Sequence, residues 1–228
     1  MNIIHHVRKY AQQLRITLSL TALAILLATL PSSGDLLQWE RGPQFLDDGW
    51  RVITGHFVHW SANHAFWDIL VFAILAAICE QRSRSLLLLL LGVSALLISF
   101  GIRVFEPSID SYRGLSGINT GLFTLVVLIL LREKWRANER RWCYIACALL
   151  LGLGVKTIFE LVTGATLFVQ IPTSEFEPLA SVHLVGIAVG IATFGIYRIA
   201  NECLIENNQL KKYAASRLGS LMTALREP

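Results

Sequence analysis

Four runs without a single charged residue, 16–34, 85–102, 114–131 and 178–197, constrain this chain more tightly than any other feature. Each holds 18 to 20 residues, which as an α-helix is about enough to cross a hydrocarbon core of ~30 Å. The apolar residues come in continuous stretches rather than alternating with polar ones. A helix, which pairs its backbone groups within itself, suits such stretches, and a barrel strand does not. Two further apolar stretches are interrupted: 52–79 contains Asp68, and 142–161 contains Lys156 and Glu160. Counting both as spans predicts an all-α, polytopic membrane protein built as a bundle of six transmembrane helices.

The basic residues sort themselves on that count. Of the 20 Lys and Arg, 15 precede the first span or follow the second, fourth and sixth. Only Arg41, Arg51, Arg103 and Arg113 fall in the alternate connections, and Lys156 lies within a span. The positive-inside rule then puts both termini in the cytoplasm of a multi-pass protein of the cell inner membrane, and a count of five or seven spans would mix the two sides. The chain divides into a cytoplasmic segment 1–15, a six-helix domain 16–199 and a cytoplasmic tail 200–228. Arg8, Lys9 and Arg15 before the first run also suit a signal peptide, but no Ala-x-Ala cleavage site closes that run. The outer segment 35–63 carries Trp39, Trp50 and Trp60 and is expected to be a structured, partly embedded loop.

With 54% hydrophobic and only 16% charged residues, the chain is no ordinary soluble domain. Its formal net charge of +4 gives no reason to invoke nucleic acid, because the basic residues gather in cytoplasmic connections, and the lipid bilayer is the expected surrounding. Cys79, Cys143, Cys147 and Cys203 fall within or at the cytoplasmic ends of apolar runs and are expected to be free thiols. His56, His59 and His64 could bind a metal, but no His-Glu-x-x-His pattern supplies ligands and base, and no cofactor is called for.

Chemistry concentrates at the outer ends of three spans. Ser116 opens the fourth run within Gly114-Leu115-Ser116-Gly117, and His183 lies near the start of the sixth, so the topology brings a hydroxyl and an imidazole to similar depth. Gly114 and Gly117 leave the serine oxygen approachable. Gly186 and Gly190 form a small-xxx-small stripe beside His183 that permits close helix approach. Alone, either motif reads as helix packing; together they supply a possible nucleophile and its base. His64 and Asp68 share one face of the second span, where histidine could donate to a developing oxyanion. Lys156 and Glu160, also four apart and near a helix end, read as a snorkelling pair.

On Trp50-Arg51, the His59 to Asp68 segment, Glu80, Gly114-Leu115-Ser116-Gly117 and His183-x-x-Gly186-x-x-x-Gly190, the chain resembles the rhomboid family of intramembrane serine proteases. The likeness covers about residues 50–197, and the Tyr-Arg-Gly-Leu-Ser-Gly context looks most like the rhombosortase branch. It implies that Ser116 is the nucleophile and His183 the general base in a dyad without a third carboxylate, and that His64 belongs to an oxyanion hole. Substrates would be membrane-anchored proteins cut near the outer face, with C-terminal Gly-Gly-type sorting tails if the branch holds, and segment 161–178 would act as a cap.

Two positions depart from the family pattern. Asp68 stands where many members have an oxyanion-hole asparagine, and an ionised carboxylate cannot donate. It would either be protonated or orient His64. Thr120 stands where many have a tyrosine packed on the catalytic histidine. The Asp68 departure also suits an inactive rhomboid-like protein that binds transmembrane helices. A transporter with Asp68, Lys156 and Glu160 along a polar path is disfavoured by the lack of inverted repeats.

Overall fold

The computed structural model describes residues 12–30, 32–42, 48–165 and 179–224, with side chains as far as residue 203. Five of its helices are long and apolar enough to cross a membrane: α4 (Ala62–Arg82), α5 (Arg84–Phe105), α6 (Ser116–Arg136), α7 (Arg140–Thr163) and the first part, Ala180–Cys203, of α8 (Ala180–Ala224). A sixth apolar helix, α1 (Arg15–Thr29), is shorter. The chain is thus an all-α, polytopic membrane bundle. The first apolar run does not stay helical to residue 34: Leu30 is extended, as expected before Pro31, Ser32 has φ 60, and a short helix α2 (Ser33–Leu37) follows. Two compact units divide the chain, 1–193 and 194–228, and the first carries every feature of the site. In the second, Phe194 stacks on Tyr197, and Arg198 pairs with Glu202.

The second stretch, read from the sequence as one span over 52–79, is two elements. Arg51–Thr54 (α3) and a 3-10 turn Gly55–Phe57 end at an extended Val58, and α4 begins only at Ala62. Ser61 explains the restart, since its hydroxyl accepts from the His64 N–H and caps the helix. Ser83 caps α5 in the same way through the Leu86 N–H. The fourth run also outlasts its uncharged part, because α6 continues through Arg132 to Arg136 at its basic end.

Near residue 80 the bundle is tied by a buried carboxylate. Glu80, 3% exposed, accepts from the N–H groups of Ile16 at 3.1 Å and Thr17 at 2.8 Å. Those are donors that the first turn of α1 cannot satisfy itself, so Glu80 joins the end of α4 to the start of α1. Arg82 and Glu133 link α4 to α6 nearby.

At the other end, the described parts of segment 35–63, residues 35–42 and 48–63, are structured, as the tryptophans suggested, but by a device with no signal in the pattern. Strand β1 (Trp39–Glu40) pairs antiparallel with β2 (Ser111–Tyr112), which directly precedes α6. Trp39 is fully buried, and the Arg41 guanidinium donates to the carbonyls of Ile102, Arg103, Glu106 and Ile109, closing the C-terminal end of α5. Arg51 pairs with Glu40 at 2.8 Å and Asp48 at 3.4 Å. All four cysteines are free.

The most buried of the five long helices is α6. Its N-terminal end is therefore a fixed platform, and Ser116 is its first residue.

Candidate active site

Leu115 and Ser116 turn the chain from β2 into α6, and the turn depends on Gly114. Its φ of 128° is a conformation that L side chains rarely adopt, and an added Cβ would lie 2.9 Å from the His64 ring. The missing side chain is what lets β2 run into α6 while His64 packs against the backbone. Tyr112, at the end of β2, donates its hydroxyl to the Gly114 carbonyl at 3.0 Å and interacts with the Ser116 side chain. Burial pushes the Tyr112 hydroxyl above its ordinary range, so it keeps its proton as a donor.

Helix α8 reaches this platform through glycine. A Cβ on Gly186 would fall on the Gly117 carbonyl oxygen, one on Gly190 would stand 2.6 Å from the Gly121 carbonyl, and one on Gly117 would stand 3.0 Å from the Val182 carbonyl. The backbones of α6 and α8 are therefore in contact along two turns, the close approach that small residues permit. Ser116 neighbours Gly117 and His183 neighbours Val182, so the contact brings hydroxyl and imidazole to one place. Both line a cavity of about 1150 Å³, together with His64, Asp68, Lys156 and Glu160. Among the described residues, the Ser116 hydroxyl makes no hydrogen bond to the His183 ring. Serine–imidazole bonds often tighten only once substrate is bound.

Asp68 does not face the cavity as a donor. Its Oδ2 accepts the Leu115 N–H at 2.8 Å, and the same oxygen lies 3.1 Å from Nε2 of His64 and 3.4 Å from Nε2 of His59. An oxygen that receives a backbone N–H is acting as an acceptor. Of the two roles the sequence left open, orientation of His64 is the one this geometry supports. Asp68 also holds the turn that carries Ser116. Asn119, one turn along α6, donates its Nδ2 to the Asp68 carbonyl at 2.9 Å. Nothing in the sequence pattern singled out Asn119, and His59, read there as a metal candidate and as part of the motif segment, is here a second imidazole on Asp68. A polar residue buried at a helix interface is the only available signal for Asn119.

Lys156 and Glu160 are not a pair reaching for the membrane surface. Glu160 is 4% exposed, and its Oε2 lies 2.6 Å from Nζ of Lys156 and 2.9 Å from Nδ1 of His183. The expectation of no third carboxylate near the histidine fails on this contact. Its signal was present in the rarity of charges inside a span. Thr120, where a tyrosine was the family expectation, bonds its hydroxyl to the Ser116 carbonyl and lines the cavity. The expected cap over 161–178 lies mostly outside the described residues. Within them α7 ends at Gly164, whose φ is 64° and whose N–H bonds the Glu160 carbonyl.

His56, His59 and His64 do not converge on a common point. His56 is directed to the Ala95 carbonyl and Ser99, while His59 and His64 meet at Asp68.

A family model described as the Rhomboid domain matches residues 47–199, about two thirds of the chain. The chain belongs to the rhomboid family, whose members are generally serine proteases of membranes. No curated protein matches it closely enough to add a relative.

Proposed function

We propose that this protein is an intramembrane serine endopeptidase that cuts membrane-anchored proteins near the outer face of the membrane. The observation that carries this reading is the glycine contact of α6 with α8, which puts Ser116 and His183 on one cavity. A substrate helix enters the bundle and unwinds locally, exposing a peptide carbonyl to Ser116. The Ser116 Oγ forms a bond to the carbonyl carbon while its proton passes to Nε2 of His183. The tetrahedral oxyanion meets the Ser116 N–H, an unsatisfied donor of the first turn of α6. Breakdown expels the amine with the proton from His183, and water, activated by the same imidazole, releases the acyl group.

Substrates with small or helix-breaking residues near the outer boundary suit this site, since a stable helix shields its peptide bonds. The likeness of the Ser116 context to rhombosortases narrows the class to proteins with C-terminal Gly-Gly-type sorting tails. The charge distribution supports an inner-membrane location with both termini cytoplasmic, and a catalytic domain over 16–199 flanked by segments 1–15 and 200–228.

A comparison of membrane proteomes from cells carrying the wild-type chain and Ser116→Ala tests the reading. Membrane-anchored proteins that appear shortened only with the wild type are the expected result. Identical proteomes, with both chains present at equal level, would contradict it.

A further inference from the structure

On the Nδ1 side of the His183 ring stands a carboxylate for which a two-residue mechanism has no place. Glu160 comes from α7, a different helix from either reacting group, and is almost fully buried. Burial of a carboxylate is costly unless it is paired and hydrogen-bonded. Here one oxygen serves two partners, the Lys156 ammonium one turn earlier and the His183 imidazole on α8. A lysine satisfied by headgroups or water would not need to turn inward, yet both Lys156 and Glu160 line the cavity that holds Ser116.

We infer that Glu160 is a positioning residue for His183, making the machinery a Ser116–His183–Glu160 relay across α6, α8 and α7, with Lys156 holding the carboxylate in place. This inference rests on the proposed protease reading. The chemistry follows from which ring nitrogen is engaged. Glu160 accepts from Nδ1, so the neutral ring carries its proton there and leaves the Nε2 lone pair free to take the Ser116 proton. When His183 becomes an imidazolium during attack, the positive charge forms 2.9 Å from an anion rather than in apolar surroundings. Glu160 takes no proton in this scheme. Lys156 offsets the negative charge in the resting site, where Glu160 would otherwise stand unneutralised beside a neutral imidazole.

The test uses the full chain in proteoliposomes and a fluorophosphonate as the probe. In the labelling step the Ser116 Oγ forms a bond to phosphorus, fluoride leaves, and the Ser116 proton passes to Nε2 of His183. Wild type, Ser116→Ala, Glu160→Gln and Glu160→Leu are compared for labelling rate and thermal midpoint. Nitrogen-15 spectra of His183 in the unlabelled wild type report which ring nitrogen is protonated. The inference expects Ser116-dependent labelling, a drop of at least a hundredfold in both Glu160 variants, and a proton on Nδ1 in the wild type.

A folded Glu160→Gln chain labelled within about threefold of wild type overturns the inference while leaving the protease reading intact. If both Glu160 variants fail to fold, the wild-type spectrum decides, and a neutral ring protonated on Nε2 overturns it. No labelling of Ser116 in wild type removes the protease reading, and this inference with it.

Discussion

One carboxylate oxygen of Asp68 holds the N–H of Leu115 at 2.8 Å and stands 3.1 Å from the His64 ring. The residue that holds the serine turn is thus the same one that orients His64, which lines the cavity beside Ser116. Both jobs need an acceptor, which is why an aspartate can stand where a donor amide was the family expectation.

Replacing Asp68 separates these jobs. Asp68→Asn keeps an acceptor oxygen for Leu115 but loses the charge facing two imidazoles. Labelling by a fluorophosphonate is expected to slow by about tenfold at every pH, with stability changed by less than about 1 kcal/mol. Asp68→Ala strands a buried N–H and is expected to cost about 1–3 kcal/mol as well. Thermal midpoints measured beside labelling rates check both, and a gain of activity at high pH in Asp68→Asn would instead restore the protonated-donor role.

The glycine contact makes a sharper demand. Gly186→Ala forces a methyl group onto the Gly117 carbonyl oxygen, a backbone atom that cannot step aside. Overpacking of this kind costs about 1–3 kcal/mol, and the displaced α8 carries His183 with it. Labelling of Ser116 is expected to fall at least tenfold in folded protein. Gly154→Ala, where an added Cβ meets nothing within 4 Å, is the matched control and should leave the labelling rate unchanged.

Glu80 offers the converse case, a buried charge remote from the chemistry. Glu80→Ala leaves the N–H groups of Ile16 and Thr17 without their acceptor and is expected to lower stability by about 1–3 kcal/mol. The labelling rate of the protein that remains folded should stay within about twofold of wild type, as a titration of labelling against unfolded fraction would show.

How much of this was legible in the chain differs by element. The spans were readable because continuous apolar runs leave a helix as the only economical fold. The β1–β2 pairing was not, because two-residue strands carry no periodicity and form only when the Trp39 and Tyr112 segments meet. The break at 58–61 was hidden because Val58 is as apolar as the helix beyond it; Ser61, a cap residue, was its one mark. The shared cavity of Ser116 and His183 was foreseeable because the spacing of Gly186 and Gly190 encodes close contact along a helix. Glu160 was misread because its spacing to Lys156 explains a pair on one helix so well that the one signal of a further partner, a carboxylate inside a span, was taken as accounted for.

His56 gives a pH dependence of stability. Burial holds its imidazole down at about 4, against 6.5 for the exposed ring. Between those values the unfolded chain binds a proton that the folded chain refuses, so stability rises with pH across that window. Acidification from about 6.5 toward about 4 is expected to remove on the order of 3 kcal/mol, at 1.36 kcal/mol per unit. His56→Gln, which keeps a donor for the Ala95 carbonyl, should flatten this limb in thermal unfolding measured from pH 7 to pH 4.

The central claim, a serine on α6 served by an imidazole on α8, is tested most directly by mapping a fluorophosphonate adduct by peptide mass spectrometry on wild type and His183→Ala. The account predicts a single phosphonylated residue, Ser116, in the wild type, and its loss in His183→Ala. An adduct elsewhere, or one at Ser116 that forms equally fast without His183, would contradict it.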